Sequence, residues 1–154
     1  MTDKPVIPNL TSALRSNIVE SPNVIRKASG IRLFGKRIKS IVYSTDVAVI
    51  ANCDADAILA VYPWTPSTRI LEAISKVANV PILAGVGGGL TKGLRAATVA
   101  RFAEENGGSA VVLNAPTSLR PCILCAEWWI FRFFYTVVNE TTDLLAYIDA
   151  GATR

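Results

Sequence analysis

Five short apolar runs, separated by stretches with helical spacing or helix-capping residues, leave few folds open to this chain. They are "IKSIVYS", "AILAVYP", "VPILAGV", "SAVVLNAP" and "FFYTVVN", spread from residue 38 to residue 139. Repeated switching between strand-like and helix-like periods is the mark of parallel βα units. "VPILAGV" is apolar throughout, as expected of a strand covered on both faces of a parallel sheet. The fold class is therefore α/β, built from about five parallel βα units.

The intervening stretches carry their own signals. Thr45 or Asp46 can cap a short helix in "TDVAVIAN". Thr65 fits an N-cap and Pro66 a first helical position, with Ile70, Leu71, Ile74 and Val77 forming the buried stripe behind them. A third helix is expected from Thr91 to Glu105. The last spans "ETTDLLAYIDAG", with Thr142 as cap, Leu144, Leu145 and Ile148 inward, Gly151 as stop and no strand after it.

At 154 residues the chain suits one domain with a substantial core. Residues 1–37 read as an N-terminal extension, with a helix at "TSALRSNIVES" and a strand or hairpin arm at "IRLFGKR"; residues 38–154 read as the domain of βα units. Five units with helices on one side would leave the inner face of the sheet exposed, and such apolar surface favours a homo-oligomer.

Charge narrows the partners. Residues 1–40 hold eight Lys/Arg against Asp3 and Glu20, and the remainder holds eight against ten acids. No aromatic stacking pattern accompanies the basic end, so nucleic acid is not expected as a partner. No apolar run reaches the roughly 18 residues that span a bilayer, and no apolar signal core follows the first charges, so the expected location is cytoplasmic and off the membrane. Histidine is absent, which leaves proton transfer near neutral pH to carboxylates, Lys, Tyr, Cys or water.

In parallel α/β folds ligands gather at the carboxyl ends of the strands. Those ends read Ser44, Thr45 and Asp46; Tyr62, Trp64 and Thr65; "GVGGGLTKG"; Asn114, Thr117 and Ser118; and Asn139, Glu140 and Thr141. In the third, Gly85, Gly87, Gly88 and Gly89 let backbone approach a ligand. Thr91 and Lys92 follow at the start of a helix, whose amides and partial positive charge suit a small anion. The rival reading is a tight strand-to-helix turn that needs glycine for its backbone alone. A dinucleotide fingerprint fails because Leu90 stands where its third glycine belongs, and the loop lacks the Gly-Lys-Ser/Thr ending of a phosphate-binding P-loop. A flavodoxin-like nucleotide binder is a further alternative. Asp46, Glu140 and Lys92 are weighed for acid/base work, with Asn114 as a polar orienter; the two carboxylates also suit ordinary helix starts and a helix lysine is usually solvated, and Asp46 and Glu140 are kept as the catalytic candidates. Cys53 reads as a small, partly buried side chain, since no histidine could activate it.

"STDVAVIANCDADAILAVYPWTP", "PILAGVGGGLTKG", "VVLNAPTS" and "YTVVNETTDLLAYIDAGA" resemble a group of bacterial aldolase-type (β/α)8-barrel proteins, usually filed as hydrolases without an established reaction. The resemblance covers most of residues 1–118 and again 134–152, and implies that residues 38–154 form a partial (β/α)8 TIM barrel of about five strands, with its active-site mouth at the strand ends named above. Members continue past "DAGA" into further strands and do not have "LRPCILCAEWWIFRF", so on this resemblance the chain looks truncated and partly frame-shifted.

That last stretch falls where an outer helix belongs, yet it is apolar nearly all round. Glu-Trp-Trp-Ile-Phe-Arg-Phe is encoded GAR TGG TGG ATH TTY CGN TTY when the arginine codon is of the CGN type. Two bases later the same string reads Met or Val, then Val, Asp, an apolar residue, Pro or Ser, and another apolar residue. Val-Asp-Ile-Pro-Val is among the outcomes, close to the "VANVPIL" that leads into the third strand. Residues 119 to about 133 therefore read as translated out of frame. The Cys-x-x-Cys within them is then accidental, and with no second pair and no histidine no metal site is expected.

Together these readings point to a small-molecule enzyme of TIM-barrel type, a hydrolase or lyase acting on an anionic or phosphorylated metabolite. The alternative is a non-catalytic anion-binding or self-associating α/β module. The sequence names no cofactor.

Overall fold

A computed structural model of the chain describes residues 18–33, 35–61, 66–120, 123 and 132–152. A 3-10 helix at Asn23–Lys27 leads into an antiparallel hairpin of β1 (Ile31–Leu33) and β2 (Lys36–Ile38). Five strands follow: β3 (Ile41–Tyr43), β4 (Ala57–Ala60), β5 (Ile82–Gly87), β6 (Ala110–Asn114) and β7 (Arg132–Thr136). The helices are α1 (Val47–Ala51), α2 (Thr68–Val77), α3 (Leu94–Glu105) and α4 (Leu144–Asp149).

The five strands pair in the order β3-β4-β5-β6-β7, every pair parallel. Order in space equals order in sequence and never reverses. A doubly wound nucleotide-binding sheet reverses at its switch point, which sets aside the flavodoxin-like alternative. Unreversed parallel winding is the topology of a (β/α) barrel, and these strands form part of one.

Alternation along the strands separates two faces. Ile58, Ala60, Ala84, Val86, Val111 and Phe133 point outward and bury Leu71 and Ile74 of α2 and the alanines of α3. Ala57, Leu83, Ala110 and Val112 point inward. Central β5 is buried at all its positions, as its unbroken apolar run requires. The inner face is not left bare, contrary to expectation. Leu33 and Ile38 of the hairpin pack against Ala57, Leu83, Ala110 and Val112, with exposures of 0% and 1%. Burying two such side chains is worth about 1.5–3 kcal/mol each.

Several local expectations shift. Residues 18–21 of the expected N-terminal helix are not helical: Val19 pairs in parallel with Cys53. α2 begins after Ser67 rather than Thr65, and its buried side chains are Leu71 and Ile74, while Ile70 faces solvent. α3 begins after Gly93 rather than at Thr91, which belongs to a turn. α4 is capped by Asp143, whose carboxylate accepts from the Ala146 N–H at 3.2 Å, and Leu144 and Leu145 are exposed. Its end follows the Schellman pattern: the Gly151 N–H donates to Ile148 O and the Ala152 N–H to Tyr147 O, with Gly151 at φ 100°. Ala152 then forms a parallel bridge with Phe133, where no further pairing was expected. No helix among the described residues is long and apolar enough to cross a membrane.

Candidate functional site

The glycine loop at the carboxyl end of β5 is a closed turn. The Gly88 N–H donates to Thr91 O at 3.0 Å and the Thr91 N–H returns a bond to Gly88 O at 3.1 Å, so the turn uses both amides. A Cβ on Gly88 would lie 2.6 Å from the Asn114 carbonyl oxygen, and its φ is 129°. One on Gly87 would meet Leu113 at 2.8 Å and Ala96 at 2.9 Å, and one on Gly85 would meet Val61 at 2.9 Å. These three glycines answer to strand and helix packing. Gly89 differs: φ is 56° and nothing lies within 4 Å of an added Cβ. Thr91 is buried and Lys92 is exposed. Gly93 precedes α3 with no side-chain cap on the helix, so the first-turn amides and exposed Arg95 stand beside Lys92.

Asn114 is the point where this turn meets the next strand ends. Its side-chain oxygen accepts from the Thr136 hydroxyl at 2.7 Å. By alternation with the inward Val112 and Phe134, both residues face the barrel interior at the mouth. The buried Thr117 hydroxyl donates to Asn114 O at 2.6 Å, and the Tyr147 hydroxyl donates to Thr117 O at 2.6 Å. Tyr147 of α4 stacks on Tyr135 of β7, with centroids 3.8 Å apart and planes inclined by 15°. A cleft of about 430 Å³ opens here, bounded by the loop after β6, the loop after β7 and α4.

The two carboxylate candidates lie apart. Asp46, after β3, accepts from the Ala48 N–H at 2.8 Å and the Val49 N–H at 3.3 Å, the geometry of an N-cap on α1. Glu140, after β7, is exposed beside a shallow depression of about 360 Å³. β3 and β7 are opposite ends of the five-strand order. Asn139 holds the turn there, its side-chain oxygen accepting from the Thr142 hydroxyl at 2.6 Å and the Thr141 hydroxyl at 3.3 Å. Ser44 accepts from the Asp46 N–H at 3.0 Å. Cys53 is a free, half-buried thiol. Tyr62, Trp64 and Thr65, the Cys-x-x-Cys and the tryptophan pair lie outside the described residues. No cluster of three or more His, Cys, Asp or Glu suited to a metal occurs among the described residues.

No family model matches the chain. No curated protein matches it. Among solved structures it is similar to a dihydrodipicolinate synthase, with 22% sequence identity and a TM-score of 0.46, over 55% of this chain and 35% of that one. The chain thus spans about a third of that protein's length. The barrel assignment stands on the strand order itself.

Sequence reasoning passed over three polar residues that the structure puts to use. Thr136 sits inside a run read as an apolar strand. Asp54 and Asp56 sit at the opposite end of the sheet, where they bind the N-terminal segment to it. The Asp56 carboxylate accepts from the Lys39 N–H at 2.9 Å and the Ser40 N–H at 3.1 Å. Asp54 accepts from the Ser21 N–H at 2.6 Å and pairs with Arg26 at 3.3 Å. Hydrogen bonds from Ser21, with the Arg26 charge, hold Asp54 below its ordinary pKa, and the Lys39 N–H followed by Ser40 does the same for Asp56. Two aspartates directly ahead of a strand were the only local signal.

Proposed function

We propose that this chain forms the ligand-holding part of a small-molecule enzyme of the (β/α)-barrel class, hydrolytic or lyase-like, which takes an anionic metabolite at the start of α3. The observation that carries this reading is a twelve-residue helix that begins at the mouth on Gly93 without a side-chain cap, flanked by exposed Lys92 and Arg95. A phosphate or carboxylate there would accept from first-turn amides and be neutralised by the two side chains. Gly89 leaves the approach uncluttered. Gly85, Gly87, Gly88 and Thr91 act indirectly, by fixing the turn that aims Lys92.

Glu140 is the acid/base candidate whose carboxylate faces solvent, and Asp46 the one already engaged as a cap. Asn114, oriented by Thr136, would hold a polar group of the substrate. The reading is tested by melting curves in phosphate against chloride at matched ionic strength. A saturable rise in Tm that Lys92→Ala removes supports it; equal curves overturn it.

A second reading, a non-catalytic anion-binding or self-associating module, is favoured by apolar side chains exposed at both sheet edges. Tyr43 is 63% exposed on one side and Val138 68% on the other. Size-exclusion chromatography separates the two: an oligomer indifferent to anions favours the module, a monomer stabilised by them the enzyme.

A further inference from the structure

We propose that the cleft between the loops after β6 and β7 is a second subsite, for a neutral, polyhydroxylated molecule of the sugar or polyol class. This inference shares with the proposed function the placement of the mouth at the strand ends, but not the anion reading.

Size comes first. About 430 Å³ lies within the range of small-molecule sites. The floor is fixed before any ligand arrives: Tyr147 is held through its hydroxyl on Thr117 O, Thr117 through its hydroxyl on Asn114 O, and Tyr135 by stacking on Tyr147. A floor already ordered loses little further entropy on binding. Tyr135 and Tyr147 line the cleft, and the aromatic surface they do not cover in each other is of the apolar, polarisable kind on which the C–H face of a sugar ring rests.

The rim supplies both donors and acceptors. Asn139 has its side-chain oxygen occupied by two threonine hydroxyls, which leaves its amide hydrogens to donate outward. The Thr141 and Thr142 oxygens, having donated to Asn139, retain lone pairs to accept. Ligand hydroxyls, which both donate and accept, match such a mixed rim.

Charge then excludes the alternative. Among the described residues Asp143 is the only Asp, Glu, Lys or Arg lining the cleft, and its carboxylate caps α4. Among the described residues no lysine or arginine borders the cavity, so an anion would find no counter-charge from them and would be repelled by Asp143. The ligand that fits here differs in kind from the one proposed at Lys92.

The experiment is NMR shift mapping of the full-length chain titrated in parallel with D-glucose, myo-inositol and inorganic phosphate. The expected result is a saturable shift of the Tyr135 and Tyr147 ring signals and the Asn139 side-chain amide with at least one neutral probe, and none with phosphate. Asn139→Ala and Thr142→Val should each weaken that binding about five- to tenfold, the effect of losing one hydrogen bond. Unchanged signals from β4 and β5 show that the variants fold. Absence of a saturable shift at these residues with both neutral probes overturns the subsite, and so does any saturable response to phosphate there. Failure of Lys92→Ala to alter phosphate binding overturns the anion site alone.

Discussion

The Thr136 hydroxyl donates to the side-chain oxygen of Asn114 across 2.7 Å, joining the ends of β6 and β7 on the inner face of the sheet. Each residue is half-buried, and Gly88 packs against the Asn114 backbone, so this bond ties the glycine turn to the last two strands. Thr136→Val keeps the shape and removes the donor. It should lower the unfolding free energy by about 1 kcal/mol, measured in urea, and should broaden the Asn114 side-chain amide signals. An unchanged urea midpoint would show that the bond contributes nothing to the mouth.

The glycines separate by what an added methyl would meet. Gly88→Ala combines a positive φ with backbone contact at 2.6 Å and should cost about 3 kcal/mol or more. Gly89→Ala meets open space and should cost only the left-handed penalty, about 1 kcal/mol. Equal losses in a urea titration would contradict this division.

The fold should be sensitive to acid through Asp54 and Asp56. Both carboxylates are held below the ordinary value of 3.8, so the stability they contribute is fully present above that value and is lost as pH falls through their lower folded-state values. Urea midpoints should vary little with these groups from about pH 7 to pH 5 and fall below about pH 4. In the Asp54→Asn/Asp56→Asn double variant, that acid-side fall should be shallower. An identical fall in the variant would place the acid sensitivity elsewhere.

What could be read from the sequence followed what is local. The unbroken apolar run before Gly85 gave away a central strand, and Asp46 and Gly151 marked helix ends, because periodicity and capping act within a few residues. The purpose of Gly87 was hidden, since its neighbours Leu113 of β6 and Ala96 of α3 belong to other elements, and only their closeness to β5 crowds out a side chain there. The cover over the inner face was hidden for the same reason: nothing near Leu33 and Ile38 announces the strands they meet. Asp54 and Asp56 were missed because their partners lie 16 or more residues away. Thr136 was missed because one hydroxyl in a strand is usually incidental.

The gene itself checks the reading of residues 119–133 as out of frame. Sequencing across these codons should show a second frame that encodes an amphipathic helical peptide ending in Val-Asp-Ile-Pro-Val or a close equivalent. A second frame interrupted by stops, or lacking any apolar stripe, would contradict it.

The central claim is that the start of α3, with Lys92 beside it, holds an anion. Its most direct test is the backbone amide spectrum of Leu94, Arg95 and Ala96 during a phosphate titration of the unmodified chain and of Lys92→Ala. Saturable shifts at these three amides, weakened several-fold in the variant, are the predicted result. Amides that stay still, or that move identically with and without Lys92, would contradict it.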